Sequence, residues 1–190
     1  LLLIATLTQT APAFAAPAIN FASGLTFPTF NNSPGNDTAT VGGIVIDGFV
    51  YTGGTSFVTD QGFLWLRNDS DDHGLGYCSE GSSCGATNTT GDGDANELSN
   101  ENKIEIIRLT KPSDKTWSNI WVSSLDTGGS NDNETGTFYW STSATPDLST
   151  LIGKTFSHNQ LGSDEGSIFN LLSGFDANAN YLFFAAGSTP

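Results

Sequence analysis

The sequence predicts an all-β chain folded as a two-sheet antiparallel β-sandwich of jelly-roll-like form. From Ala18 onward, apolar runs are short and separated by clusters of Gly, Asn, Asp and Ser, the rhythm of antiparallel strands and turns. No window of helical length carries a 3.6-residue apolar period. The composition agrees: 22 Gly among 190 residues, 13 Phe and 4 Trp, and a hydrophobic share of 37% supply one core but suit no helical bundle.

The expected strands are Ala18–Ala22, Gly43–Tyr51, Gly62–Arg67, Lys103–Leu109, Thr116–Leu125, Gly136–Ser141, Ser167–Leu172 and Asn180–Ala185. Between them, Asn31–Asp37, Thr52-Gly53-Gly54, Thr127–Asp132 and Asp176-Ala177-Asn178 are loops, since these residues tolerate positive φ and bond their own backbone. A single helical turn is expected near Asp147–Ile152. Two runs, Phe63-Leu64-Trp65-Leu66 and Tyr181-Leu182-Phe183-Phe184, fail to alternate. They are either central strands covered on both faces or aromatic surfaces for a partner.

Ahead of the domain, Leu1–Leu7 is apolar and Ala13-Phe14-Ala15 fits the small-x-small pattern of a signal-peptidase site. Residues 1–15 are therefore expected to be the trailing part of a secretory signal, leaving 16–190 as one sandwich domain. Pro12 and Pro17 interrupt a stretch already too short to span a bilayer, so no membrane contact is expected of the mature domain. The two cysteines, Cys78 and Cys84, lie in a polar Gly/Ser segment, and in an oxidising compartment they would close a small disulfide ring. Such a ring contributes about 2 kcal/mol by chain entropy.

The charge balance is 6 basic against 20 acidic residues, a net of −14. This surface repels phosphate backbones, so nucleic acid is not an expected partner. The acids concentrate between Asp69 and Glu101, where Asp69, Asp71, Asp72, Glu80, Asp92, Asp94, Glu97 and Glu101 stand without a Lys or Arg. Within that loop, Asp92-Gly93-Asp94-Ala95-Asn96 places oxygen ligands at alternate positions, as a calcium loop begins. Glu97 stands where an EF-hand needs Gly and Lys103 where it needs Glu, which excludes that motif. An irregular calcium site from Asp92, Asp94, Asn96 and Glu97 remains, with a solvated acidic loop as its alternative. Glu105 shares a strand face with Ile107 and Leu109, while Arg108 shares the other with Ile104 and Ile106. An inward Glu105 would need hydrogen bonds or a cation, and so is a fifth candidate ligand unless it marks a strand end.

Trp117 and Trp121, spaced i, i+4, would point to one side of a regular strand. With Tyr139 and Trp140 they are candidates for a platform on which sugar rings stack; the alternative is that they are core.

Gly74-Leu75-Gly76-Tyr77-Cys78, then the Gly/Asp-rich loop, then Asn96-Glu97-Leu98-Ser99-Asn100 and Glu105-Ile106-Ile107-Arg108-Leu109 follow one another in an order that resembles bacterial PEP-CTERM exported proteins. Trp121–Asp126 and Glu134–Trp140 extend the likeness over most of the chain. The resemblance puts the family's glutamates on Glu97 and Glu105 and its loop cysteines on Cys78 and Cys84. It implies an exported β-sandwich of a Gram-negative bacterium, sorted by an exosortase and tied to extracellular polysaccharide or biofilm. The family's Pro-Glu-Pro motif, apolar helix and arginine cluster do not occur within these residues.

Enzyme signatures are weak. Gly81-Ser82-Ser83-Cys84-Gly85 matches G-x-S-x-G but lacks the strand–turn–helix setting of a nucleophile elbow. Glu97, Glu105 and Glu134 could in number supply a glycosidase pair, yet nothing in their spacing sets two of them across a cleft. His73 and His158 stand apart. The expectation is a non-enzymatic protein of the cell surface or extracellular matrix, its partners polysaccharide or other surface proteins. The alternatives are a calcium-assisted carbohydrate-binding module and a self-assembling surface protein.

Overall fold

The computed structural model describes residues 2–8, 37–59, 62–68, 73–79, 98, 103–123, 134–162, 166–168 and 173–187. They form two antiparallel sheets facing each other, as the sequence predicts. The strands are β1 (Leu2–Thr8), β2 (Thr38–Val41), β3 (Ile44–Tyr51), β4 (Phe57–Val58), β5 (Phe63–Asn68), β6 (His73–Cys78), β7 (Ile104–Thr110), β8 (Thr116–Ser123), β9 (Thr135–Ser141), β10 (Lys154–Ser157), β11 (Gly166–Ser167) and β12 (Tyr181–Ala186). One sheet is five-stranded in the order β11-β8-β1-β6-β5; the other is seven-stranded, β10-β9-β12-β7-β3-β2, with β4 also on β3.

Four strands of the seven-stranded sheet, β3, β7, β9 and β12, follow the predicted ones, while the short β2, β4 and β10 are not among those predicted. β3, β7, β9 and β12 are rich in Ile, Val, Phe and Tyr, which pack well on a pleated surface. β2 and β3 are joined by Gly42-Gly43, with φ of 57° and 87°, and Val41 pairs directly with Ile44. A two-residue turn with both φ positive matches the strand twist, and glycine reaches it without steric cost. The helical turn expected near Asp147 is a 3-10 turn at Leu148–Thr150, where the Asp147 side chain accepts from Ser149 N. A second turn, α1 (His158–Leu161), is begun by Ser157 and ended by Gly162.

The main core lies between the sheets. Ile44, Ile46, Ile107, Leu109, Phe138, Leu182 and Phe184 meet Leu64, Leu75, Tyr77, Trp117, Ile120 and Val122 there. A second cluster covers the outer face of the seven-stranded sheet: Phe49, Tyr51, Ile106, Tyr139, Phe183 and Ala185, with Leu148 and Leu151 packed on it from the β9–β10 connection. This explains the non-alternating run in β12. It is a central strand buried on both faces, so it carries apolar residues at every position.

Three expectations meet a particular outcome in the fold. The first concerns residues 1–15, expected as the trailing part of a leader ahead of the domain. Within them, Leu2–Thr8 forms β1 in the middle of the five-stranded sheet, between β8 and β6. An apolar strand-length segment serves equally as a leader core or as a buried strand, and its register here sets Leu3, Ala5 and Leu7 opposite the core residues Val122, Ile120 and Trp117. The second concerns β6, whose Gly74 and Gly76 read as loop residues; it pairs with β5 from Phe63↔Cys78 to Asn68↔His73. The third concerns Ser167–Leu172, of which β11 takes only Gly166–Ser167, while residues 169–172 lie outside the described residues. The predicted strand Ala18–Ala22 and the loops at 127–132 and 31–36 lie outside them too.

Candidate functional site

β6 and β7 frame the root of the acidic segment. β6 ends at Cys78, and β7 begins at Ile104. Between them, Ser79 and Glu105 meet: the backbone N–H of Ser79 donates to Glu105 Oε1 at 2.7 Å, with Glu105 only 5% exposed and Ser79 3%. Glu105 therefore takes the inward option, on the same face as Ile107 and Leu109, and a buried hydrogen bond answers its desolvation. A charge-assisted bond of this kind is worth roughly 1.5–3 kcal/mol. Leu98, the described residue between Ser79 and Lys103, is buried in the main core. The segment is thus tied to the sandwich at Ser79, at Leu98 and at the start of β7.

Cys78 is buried against Phe63, its partner position on β5. Cys84 lies outside the described residues, as do Asp92, Asp94, Asn96 and Glu97. Among the described residues, no three His, Cys, Asp or Glu side chains converge as a metal centre requires. Glu105 is the predicted ligand whose surroundings are described.

The aromatic platform is not assembled. β8 carries a β-bulge: Thr6 pairs with Asn119 and Leu7 with Trp117, leaving Ser118 as an extra residue. One extra residue reverses the alternation, so Trp117 joins Ile120 and Val122 in the core while Trp121 falls on the opposite face. Trp117 is 2% exposed, and its Nε1 donates to Ala179 O at 2.9 Å. Tyr139, also 2% exposed, lies under the β9–β10 connection on the outer face of the other sheet. Trp140 is half-buried beside Phe175, edge to face with ring centroids 5.4 Å apart. Trp117 and Trp140 both pack on the core between the sheets, Tyr139 lies on the outer face of the seven-stranded sheet, and Trp121 faces away from the core.

The structure adds a polar centre that the sequence reading did not single out. Asp47 on β3 stands opposite Arg108 on β7, and Arg108 Nη2 and Nε reach Asp47 Oδ2 at 2.7 and 3.2 Å. Thr38 Oγ1 donates to Asp47 Oδ1, Arg108 Nη1 donates to Ala144 O, and the guanidinium lies 4.6 Å from the Phe49 ring centre. Nearby, Tyr51 donates from its hydroxyl to Asp147 Oδ1 and to Gly54 O. Hydrogen bonds from Ser149, and then from Tyr51, hold the Asp147 carboxyl below its usual range. Burial first, then the Asp147 contact, push the Tyr51 hydroxyl upward. The signal for the ion pair was the single acid of one apolar strand, Asp47 in IVIDGFVY, and the single base of another, Arg108 in IEIIRLT.

Among the described residues, no helix is long and apolar enough to cross a membrane. In comparisons with family profiles, curated proteins and solved structures, nothing matches this chain.

Proposed function

We propose that this chain is an exported, non-enzymatic β-sandwich of the cell surface or extracellular matrix of a Gram-negative bacterium, as its resemblance to PEP-CTERM exported proteins implies. The sandwich acts as a rigid frame that presents the acidic segment to polysaccharide or to other surface proteins. The observation that carries this reading is the Ser79–Glu105 contact at the root of that segment, with Leu98 seated in the core. Both hold a strongly acidic connection against a scaffold. The described acids do structural work: Asp47 is ion-paired, Glu105 accepts a backbone N–H, and Asp147 caps a turn.

A Cys78–Cys84 disulfide closes the base of the segment in this reading, as an oxidising compartment would allow. Calcium held by Asp92, Asp94, Asn96 and Glu97 offsets the repulsion among its carboxylates. The carbohydrate-binding alternative is favoured by one observation, the half-exposed Trp121 on the face turned away from the core.

Two measurements test the reading. The tagged full chain, expressed in a Gram-negative host and fractionated, is expected in the periplasm or on the cell surface; quantitative retention in the cytoplasm overturns export. Millimolar calcium is expected to raise the melting temperature and chelator to lower it, and an unmoved melting curve removes calcium from the proposal. Retention on a polysaccharide column that Trp121→Ala abolishes would turn the assignment to the carbohydrate-binding module.

A further inference from the structure

The residues that read as the apolar core of an export leader and the strand that centres the five-stranded sheet are the same, Leu2–Thr8. In the fold they pair with β8 along their whole length, from Leu2↔Ser123 to Thr8↔Thr116, and with β6 at Leu3↔Leu75. Leu75, Ile120 and Val122, which stand opposite them, are all 0% exposed. A leader works by offering its apolar run to the export machinery. A strand flanked on both sides in a sheet has its backbone engaged by its neighbours and is not free to be offered as an extended segment.

Resting on the export reading above, we propose that β1 docking is an autoinhibitory contact: folding sequesters the leader between β6 and β8, so docking and processing after Ala15 compete for the same residues. Synthesis order gives processing the first opportunity. Both partners of β1 lie downstream: β6 begins at His73 and meets β1 at one registered position, and β8, which pairs with it along its whole length, begins only at Thr116, so during synthesis the full pairing cannot form until most of these residues have been made. Pairing across so long a separation is then slowed by loop closure. Once β8 is in place, release requires opening the centre of a sheet rather than its edge. The β6 seam, registered at one position, is where that opening starts.

The test uses the full chain. In a Gram-negative host, pulse-chase of the tagged chain follows the processed fraction for the wild type, for Val122→Ala and Ile120→Ala beneath β1, and for Phe156→Ala as a control. Phe156 is equally buried but lies in β10 of the other sheet. Hydrogen exchange on unprocessed chain made in a cell-free system reads the amides of Leu3–Leu7. The expected result is slow exchange at those amides, and a processed fraction raised severalfold by the β8 substitutions but not by Phe156→Ala. Exchange at the rate of an unstructured peptide overturns docking. Equal processing in all chains, or an equal rise with Phe156→Ala, overturns the competition while leaving export intact. Slow exchange with no processing in any chain, and retention in the cytoplasm, instead sinks the export reading, and the proposal with it.

Discussion

The two faces of the seven-stranded sheet come from the same strands, yet they bury themselves by different chemistry. The inward face mixes aliphatic and phenylalanine side chains: Ile44, Ile46, Ile107, Leu109 and Leu182, with Phe138, Phe156 and Phe184, meet the opposing sheet, and Glu105 sits at the root of the acidic segment. The outward face is aromatic, with Phe49, Tyr51, Tyr139 and Phe183 in one cluster, and carries the Asp47–Arg108 pair. The difference follows from what each face meets. A sheet packed on a sheet leaves a gap of fixed width, filled by interdigitating side chains, where a backbone group is free to answer a charge only past a strand end, as Ser79 N–H does for Glu105 beyond β6. The β9–β10 connection that covers the outer face is irregular chain, and its backbone can turn to meet polar groups, as Ala144 O does for Arg108. Buried charge gathers where irregular backbone is at hand.

The inward face is the one that tolerates least. Gly48 lies on β3 where the Tyr77 ring crosses from the other sheet, and a Cβ built there would stand 2.0 Å from Tyr77 Cδ2. The largest expected effect is therefore Gly48→Val, a loss of about 3 kcal/mol or more by overpacking. Urea denaturation measures it. Pairing it with Tyr77→Leu should recover more than about 1 kcal/mol relative to the sum of the single losses, because the two groups contest one space. Simple additivity would mean that Gly48 matters for some reason other than the ring.

On the outward face the expected weak point is charge rather than volume. Arg108→Met leaves Asp47 half of a pair in a buried row, at a cost of about 3 kcal/mol. Asp47→Asn combined with Arg108→Met should cost clearly less than Arg108→Met alone, since no uncompensated charge then remains. If the double variant is the less stable one, the pair is more than a mutual neutralisation and the contrast between the faces weakens.

Much of this fold was legible in the sequence, and the gaps have physical causes. β3, β5, β7, β8, β9 and β12 were visible because runs of β-branched and aromatic residues between Gly/Asn turns have few other uses. β6 was not, because His73-Gly74-Leu75-Gly76-Tyr77-Cys78 lacks strand propensity and is held by pairing with β5. β1 was visible as an apolar run but ambiguous in meaning, since leader cores and buried strands share one composition. The site was harder. Glu105 could be narrowed to an inward carboxylate needing a partner, but Ser79 could not be named, because a backbone donor leaves no trace in side-chain chemistry. Trp117 and Trp121 were misplaced by one inserted residue, and a bulge at Ser118 has no signature in a chain so rich in Ser and Asn. Asp47 and Arg108 were each visible as the single acid or single base of an apolar strand, yet only the register of β3 against β7 brings them together.

A smaller effect sharpens the view of the core itself. Trp117→Phe keeps a large ring in the core between the sheets but removes the Nε1 donor to Ala179 O. The expected loss is about 1 kcal/mol for the hydrogen bond, with some additional loss of volume. A loss beyond about 3 kcal/mol would show that Trp117 acts chiefly through packing, at the scale of a large-to-small core substitution.

The smallest effects lie in pH, and they separate the faces without mutation of the core. Burial pushes the Tyr139 hydroxyl up to about 12, with Tyr51 beside it adding to the rise, and Tyr51 itself is raised above the ordinary 10.0. A group whose folded pKa is raised contributes its full stability below the unfolded value and loses it as pH climbs through the folded one. Stability should thus begin to fall above pH 10.0 and go on falling toward about 12 as these tyrosines ionise. Asp147 runs the other way. Its folded pKa is depressed below 3.8, so its contribution is complete above that value and disappears as pH drops through the folded one. Chemical denaturation across the pH range should show Tyr139→Phe flattening the alkaline decline, and the gap between wild type and Asp147→Ala closing in acid. All three groups belong to the aromatic outer face and its covering connection. A pH profile unchanged by both substitutions would place the titrating weakness elsewhere and remove the idea that the outer face is where this sandwich yields first.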